Sequence, residues 1–288
     1  MDRAATDAPN DAPPAAGEPA PLDAVRAAVE AHPLRRRGAA HLHLFEFSSL
    51  APLDPLLGRL LEGSERDRAG RFHYLEDRQR YQRGRGLLRW LLGAYLARAP
   101  GGLVFDYAQH GRPSLRGGGI EFNVSHTRRY LALAFAADGA LGVDVEGDRG
   151  ATDLLRIARR FFAEAEYEKL ASLPEGGRTR AFLRCWTQKE AYIKAHGVGL
   201  SMPLNRFEVG VLPEDPCGLR AAFDDSSELA RWQFAETDQL QDAHVALAVE
   251  GVGREVRVWR WGHEPVSPSN AETAPLRDGP RRLITDIS

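Results

Sequence analysis

The 288-residue chain is short of several features that would place a protein in a class at sight. It has only two cysteines, Cys185 and Cys217, too few and too scattered for a disulfide framework or a cysteine metal cluster. Cys185 is expected to be a buried thiol. No stretch approaches the roughly eighteen consecutive apolar residues of a membrane-spanning helix. Met1 leads into an Asp/Ala/Pro-rich stretch instead of a basic segment followed by an apolar one, so no signal peptide is expected. Neither sign of charge dominates. With 38 basic and 40 acidic residues the net charge is −2, so the whole chain is no polyanion binder and any basic surface has to be local. Residues 1–22 contain no aromatic side chain and cannot bury enough apolar surface to offset their ordering entropy, which predicts a disordered tail. Residues 263–288, rich in Pro, Ser and Asn, are expected to be a second loose tail. A soluble, cytoplasmic protein with no membrane partner follows as the expectation.

What is present is a chain with 43% hydrophobic residues, enough for a sizeable core. Its centre is Leu141-Gly-Val-Asp144-Val-Glu146, which alternates as a strand does. Asp144 and Glu146 therefore share one face, and Leu141, Val143 and Val145 the other. Two carboxylates side by side repel unless a cation or a shared proton joins them, and a hard divalent cation such as Mg²⁺ is the natural partner. A solvated strand face would give the same pattern. A helix predicted over 182–196 carries Trp186, Glu190 and Lys194 at i, i+4 and i+8, hence on one face. Glu190 and Lys194 make either an ordinary surface pair or a third carboxylate and an ammonium beside the first two. Three carboxylates and a lysine suit a metal–phosphate site, in which the metal neutralises charge and the lysine meets a phosphate oxygen.

With Phe122-Asn-Val-Ser125-His126, Gly142-Val-Asp144-Val-Glu146, Phe161-Phe-Ala-Glu164, Trp186-Thr-Gln-Lys189-Glu190-Ala-Tyr-Ile-Lys194 and Gly197-Val-Gly199-Leu200 in this order, the chain resembles the 4′-phosphopantetheinyl transferases of the Sfp type. Weaker blocks are Glu65-Arg66-Asp-Arg68-Ala-Gly-Arg71-Phe72, then Asp77-Arg78 and Arg80-Tyr81, and Gly111-Arg112-Pro113. The resemblance covers roughly residues 40–262.

The resemblance implies an α+β fold of two similar subdomains in pseudo-twofold arrangement with the active site in the cleft between them. We expect an N-terminal subdomain over 38–146, a C-terminal one over 147–262, and a tail with a short helix over 1–37. It also implies the reaction: a serine of an acyl, peptidyl or aryl carrier protein attacks the β-phosphorus of coenzyme A, takes the phosphopantetheine arm and releases 3′,5′-ADP. Asp144, Glu146 and Glu190 would bind Mg²⁺, for which Mn²⁺ can substitute. Glu190 would be the general base, directly or through water, and Lys194 would hold a phosphate oxygen, with Lys189 as the alternative. Ser125 and His126 would contact the pyrophosphate or the 3′-phosphate, and a structural role for His126 is the competing reading. Arg68, Arg71 and Arg112 would meet the 3′-phosphate. Two departures stand out: Glu65 falls where the family has a basic residue, and Arg112 where it usually has lysine. Arginine keeps the charge and adds a bidentate fork.

The remaining elements are read from periodicity. Strands are expected over 41–47, 103–107, 120–124, 130–136 and 140–145, the last two as a hairpin through Asp138-Gly139. A long arginine-dense helical region runs over 65–98, with Gly84 and Gly86 as kinks and most arginines solvated. Pro174-Glu-Gly-Gly177 reads as a loop, and 207–211, 232–236, 244–249 and 256–261 as antiparallel strands. Arg35-Arg36-Arg37 is a solvated connector or a contact for a nucleotide or acidic partner. A nuclease would use the arginines as a nucleic-acid grip, but aromatic residues are not interleaved there, so no nucleic acid partner is expected. A carrier-binding relative without catalysis is the other alternative. A monomer is the default, since two fused halves can build the cleft.

Overall fold

The computed structural model describes residues 20–34, 38–108, 111–147, 153–197, 199–237, 240 and 242–262. The two expected tails, most of the linker expected over 147–153, and Arg35-Arg36-Arg37 lie outside them, apart from the helix that starts at Ala20.

The molecule is layered helix, sheet, sheet, helix. Strand β1 (Ala39–Glu46) puts Ala40, Leu42 and Leu44 on one face and His41, His43 and Phe45 on the other, the period-2 alternation of a strand buried on both sides. It lies in a four-stranded sheet with β4 (Glu121–His126), β5 (Tyr130–Ala136) and β11 (Glu255–Trp261), in the order β11-β1-β5-β4. A second sheet has the order β6-β10-β9, from Leu141–Gly147, Ala243–Glu250 and Trp232–Thr237. The facing sides of the two sheets close on each other through Leu42, Leu44, Ala132, Ala134, Leu141, Val143, Val245 and Leu247. Each fully buried Leu or Val of this layer is worth about 1.5–3 kcal/mol of transfer free energy, so this contact welds the halves together.

The outer face of the first sheet is covered by α1 (Ala20–Ala31), α2 (Asp54–Arg59) and the 22-residue α4 (Leu75–Leu96). Helix α3 (Gly63–Gly70) leads into α4. The outer face of the second sheet is covered by α5 (Leu154–Phe161), α6 (Glu164–Ser172) and the 22-residue α7 (Glu175–His196). Two short ladders complete the picture, β2–β3 (Phe105–Tyr107 with Pro113–Leu115) and β7–β8 (Phe207–Val209 with Leu219–Ala222), with one turn of helix, α8 (Glu228–Arg231), before β9. The class is α+β, and both halves follow one plan, a sheet with a long helix on its outer side.

Several expectations change. Strands β5 and β6 are not a hairpin: β5 pairs with β1 and β4, whereas β6 pairs with β10. The turn at Asp138-Gly139 passes the chain from one sheet to the other, with Arg254 bonded to Asp138 at 3.0 Å. Strand β6 makes its ladder with β10 of the second sheet, while its Val143 and Val145 amides donate to side chains of β4 in the first. Strand β11 likewise belongs to the first sheet, and it runs parallel to β1. Helix α4 is not broken at its glycines. Gly86 is instead where α2 crosses, since a Cβ there would lie 2.4 Å from the Leu57 carbonyl oxygen. The expected loop at 174–177 is the first turn of α7, with Pro174 as its N-cap residue.

Candidate functional site

The site begins with a close approach. A Cβ on Gly142 would lie 2.1 Å from the Ala191 carbonyl oxygen and 2.4 Å from the Ala195 nitrogen, so α7 rests directly on β6. The neighbouring strand offers Ala246 and Ala248 on the same face, both fully buried. Small residues let the helix down onto the sheet, and that places Lys194, one turn from its end, over Asp144. The Lys194 ammonium donates to Asp144 Oδ1 at 2.6 Å and to Ser125 Oγ at 3.0 Å. Ser125 Oγ donates to the same Asp144 oxygen at 2.8 Å and accepts from the Val145 amide at 3.3 Å. Asn123 Oδ1 accepts from the Val143 amide at 3.1 Å. Alternate side chains of β4 thus bridge to the edge of β6, where the two sheets meet.

The cleft at this junction has a volume of about 560 Å³. Asp144, Glu146, Glu190, Lys194, Ser125 and His126 line its polar side, and Phe161, Trp186, Leu204 and Val124 its apolar side. Trp186 is held by Phe161 edge-on at 6.1 Å and by Phe182 stacked at 5.7 Å. Burial pushes the Glu190 carboxyl up from its usual range, the Asp144 and Glu146 charges push it further, and Lys194 opposes them. The His126 imidazole is pushed down by desolvation, with Lys194 and Arg80 adding to it.

Three carboxylates face one ammonium here, so the cleft as it stands would repel a pyrophosphate. Asp144 Oδ2 is buried with no hydrogen-bond partner, a position a carboxylate oxygen rarely tolerates without a cation. Among the described residues no three of His, Cys, Asp and Glu are gathered tightly enough to hold a metal ion by themselves. Lys194 occupies the other oxygen of Asp144. The open cleft suits a Mg²⁺ that completes its shell with substrate phosphates better than an all-protein cage.

The other expected site residues are placed differently. Arg112 lies at a second pocket of about 260 Å³, which shares Val124 and Lys194 with the cleft, and its guanidinium is turned to backbone carbonyls. Arg68 and Arg71 are exposed at the end of α3 and line neither pocket; Arg68 lies over the Tyr81 ring at 5.3 Å. Glu65, the departure from the family pattern, is a buried hub that binds Arg85 and, at 2.7 Å, Arg89. It thereby fixes α3 to α4, and Arg85 and Arg89 are interior residues, not solvated ones. Lys189 is on the opposite face of α7 from the cleft, fully buried against Glu166 at 2.8 Å and the carbonyls of Leu204 and Phe207. It is a structural ion turned away from the cleft, not a phosphate contact there. Sequence reasoning missed the bridging role of Asn123, although Asn123 and Ser125 at i and i+2 already shared a strand face.

An acidic cleft beside a lysine suits phosphoryl-group chemistry, and comparison with known proteins gives the class. Residues 140–249 match the 4′-phosphopantetheinyl transferase superfamily, and residues 55–138 match the 4′-phosphopantetheinyl transferase N-terminal family. The transferase HetI of Nostoc sp. is 36% identical over 209 residues, 71% of this chain and 85% of that protein. Sfp of Bacillus subtilis is 32% identical over 146 residues, 50% of this chain and 64% of that protein. The L-aminoadipate-semialdehyde dehydrogenase-phosphopantetheinyl transferase of Xenopus laevis is 31% identical over 212 residues, 67% and 70% of the two chains. The chain belongs to the 4′-phosphopantetheinyl transferase superfamily. It is an enzyme that places a 4′-phosphopantetheine arm on carrier proteins.

Proposed function

We propose that the cleft of Asp144, Glu146, Glu190 and Lys194 takes coenzyme A with Mg²⁺ and passes its phosphopantetheine arm to a serine of an acyl, peptidyl or aryl carrier protein, releasing 3′,5′-ADP. The observation that carries this reading is the unpartnered, buried Asp144 Oδ2 in a cleft with three carboxylates and one ammonium. Mg²⁺ held by Asp144, Glu146 and Glu190 together with phosphate oxygens would neutralise the pyrophosphate and the developing charge. The chain's own residues do the rest. Lys194, already hydrogen-bonded to Asp144 and Ser125, is poised to turn one donor to a phosphate oxygen. Glu190 accepts the proton of the carrier serine, directly or through one water. Ser125 and His126 flank the phosphates, and Arg68 and Arg71 are available to the 3′-phosphate at the exposed end of α3. Phe161 and Trp186 form the apolar wall that excludes water from one side. The sheet-to-sheet core supports a monomer, since one chain builds both walls of the cleft. Among the described residues no helix is long and apolar enough to cross a membrane.

The test is intact-mass analysis of apo carrier proteins incubated with the enzyme, coenzyme A and Mg²⁺, with a chelator control. A gain of one phosphopantetheine arm that the chelator abolishes is the expected result. Full transfer in chelator would remove the metal from the reading.

A further inference from the structure

We infer that Arg112 is a positioning residue that clamps β6 to α7 and so holds Lys194 over Asp144, and that it is not a phosphate ligand; this deepens the reaction proposed above and rests on it. Arg112 immediately precedes β3; Gly111 adopts a left-handed φ of 77° and the Ala108 amide donates to the Arg112 carbonyl at 2.9 Å. From there its side chain crosses to the other half of the molecule. Nη1 donates to the carbonyls of Lys194 and Ala195, both at 3.1 Å. Nη2 donates to the carbonyl of Leu141 at 3.3 Å and lies 3.7 Å from the Glu121 carboxylate. Two of these carbonyls are in the last turn of α7, where the helix dipole is negative; the Lys194 carbonyl also accepts from the Gly197 amide at 3.2 Å. The third is at the start of β6, three residues before Asp144. One guanidinium therefore grips both elements whose side chains meet at the 2.6 Å Lys194–Asp144 contact.

The neighbourhood is built for this grip. Gly197 ends α7 at φ 71°, and a Cβ there would lie 3.2 Å from Arg112 Nη1. A glycine thus serves both the left-handed cap and the approach of the guanidinium. The geometry also accounts for arginine where the family usually has lysine. A planar fork reaches carbonyls of two elements at once, whereas an ammonium on a flexible stem is a single point of donation. Turning the Nη1/Nη2 fork to a phosphate would release the carbonyls of Lys194, Ala195 and Leu141.

The experiment is steady-state transfer to a carrier protein by Arg112→Lys and Arg112→Ala, with coenzyme A and with 3′-dephospho-coenzyme A, and a thermal unfolding curve for each variant. Positioning predicts that both variants lose kcat by about 10- to 100-fold, the scale of a misplaced catalytic group. The loss is the same for the two substrates, with little change in KM, and lysine does not rescue. A phosphate ligand predicts the reverse: Arg112→Lys restores activity, and Arg112→Ala raises KM for coenzyme A alone. That result would overturn the inference. Where Arg112→Ala does not fold, Arg112→Lys in a Lys194→Ala background decides. If Arg112 acts through Lys194, the double variant is no slower than Lys194→Ala; additive losses would again overturn it. Absence of transfer by the unaltered enzyme to any carrier would instead count against the proposed reaction and leaves no variant to compare.

Discussion

Helices α4 and α7 are each 22 residues long and each covers the outer side of one sheet, yet they treat their charges in opposite ways. Along α4, Arg85 and Arg89 turn inward to the buried Glu65, and both lie over the Phe105 ring, at 4.1 and 4.9 Å. Along α7, Lys189 is likewise buried with Glu166, but Glu190 and Lys194 open onto the cleft. The difference follows from where each helix makes its close backbone contact. Helix α4 makes it with another helix, at Gly86 against Leu57; α7 makes it with a strand, at Gly142. Only the second contact can bring a helix side chain onto a strand carboxylate. The same architecture thus serves as scaffold in one half and as site in the other.

The comparison breaks most sharply at Asp144. Asp144→Ala is expected to lower kcat/KM by about 10²–10³-fold or more, the range found for removal of one electrostatic stabiliser; near-normal transfer in Mg²⁺ would remove Asp144 from the site. Next come the two glycines. Gly142→Ala and Gly86→Ala should each cost about 1–3 kcal/mol or more by overpacking against a backbone that cannot yield cheaply. Transfer per folded molecule should collapse only for Gly142→Ala, as measured by urea unfolding alongside kinetics. Equal activity in the two variants would mean that the β6–α7 contact does not set the chemistry.

Breaking the buried ions should cost stability in both halves alike. Glu65→Ala and Lys189→Ala each leave a buried charge unpaired, at about 3–5 kcal/mol, and neither should alter the pH profile of the remaining activity. Glu190→Gln, in contrast, should remove the acidic limb of that profile. In the metal-free cleft, burial and the neighbouring carboxylates raise the Glu190 pKa, and bound Mg²⁺ would pull it down, so the limb should move to higher pH as Mg²⁺ is lowered. A limb unchanged in Glu190→Gln would assign the base elsewhere.

The remaining effect is on acid stability and belongs to the first half's interior. Trp261 Nε1 donates to His43 Nδ1 at 3.2 Å, so His43 must donate through Nε2 to Tyr95 Oη at 2.7 Å, and Tyr95 in turn to His41 Nδ1 at 2.8 Å. Burial lowers both histidines, His41 to about 3. The unfolded chain therefore binds protons first as pH falls below about 6.5, and stability is lost from there down to pH 3 at up to about 1.4 kcal/mol per pH unit per histidine. Denaturant titrations at pH 7.5 and 4.5 should show His41→Phe to be less acid-sensitive than the unaltered chain; equal sensitivity would place the acid lability elsewhere.

The shared face of Asp144 and Glu146 was legible in the sequence because strand periodicity is strict. The face of Trp186, Glu190 and Lys194 was legible because helix periodicity is. Lys189 could be seen to lie off that face, but not where it went, since its partner Glu166 comes from a separate helix. The arginines of α4 read as solvated because a charged residue is seldom buried, and only the location of Glu65 reversed that. Local pattern therefore determined the elements, their buried faces and the candidate carboxylates and lysine. Tertiary structure alone decided that β5 and β6 part into different sheets, that β11 returns to lie parallel to β1, and that Arg112 reaches α7. Those outcomes depend on packing between residues far apart in the chain, and no periodicity within one element encodes them.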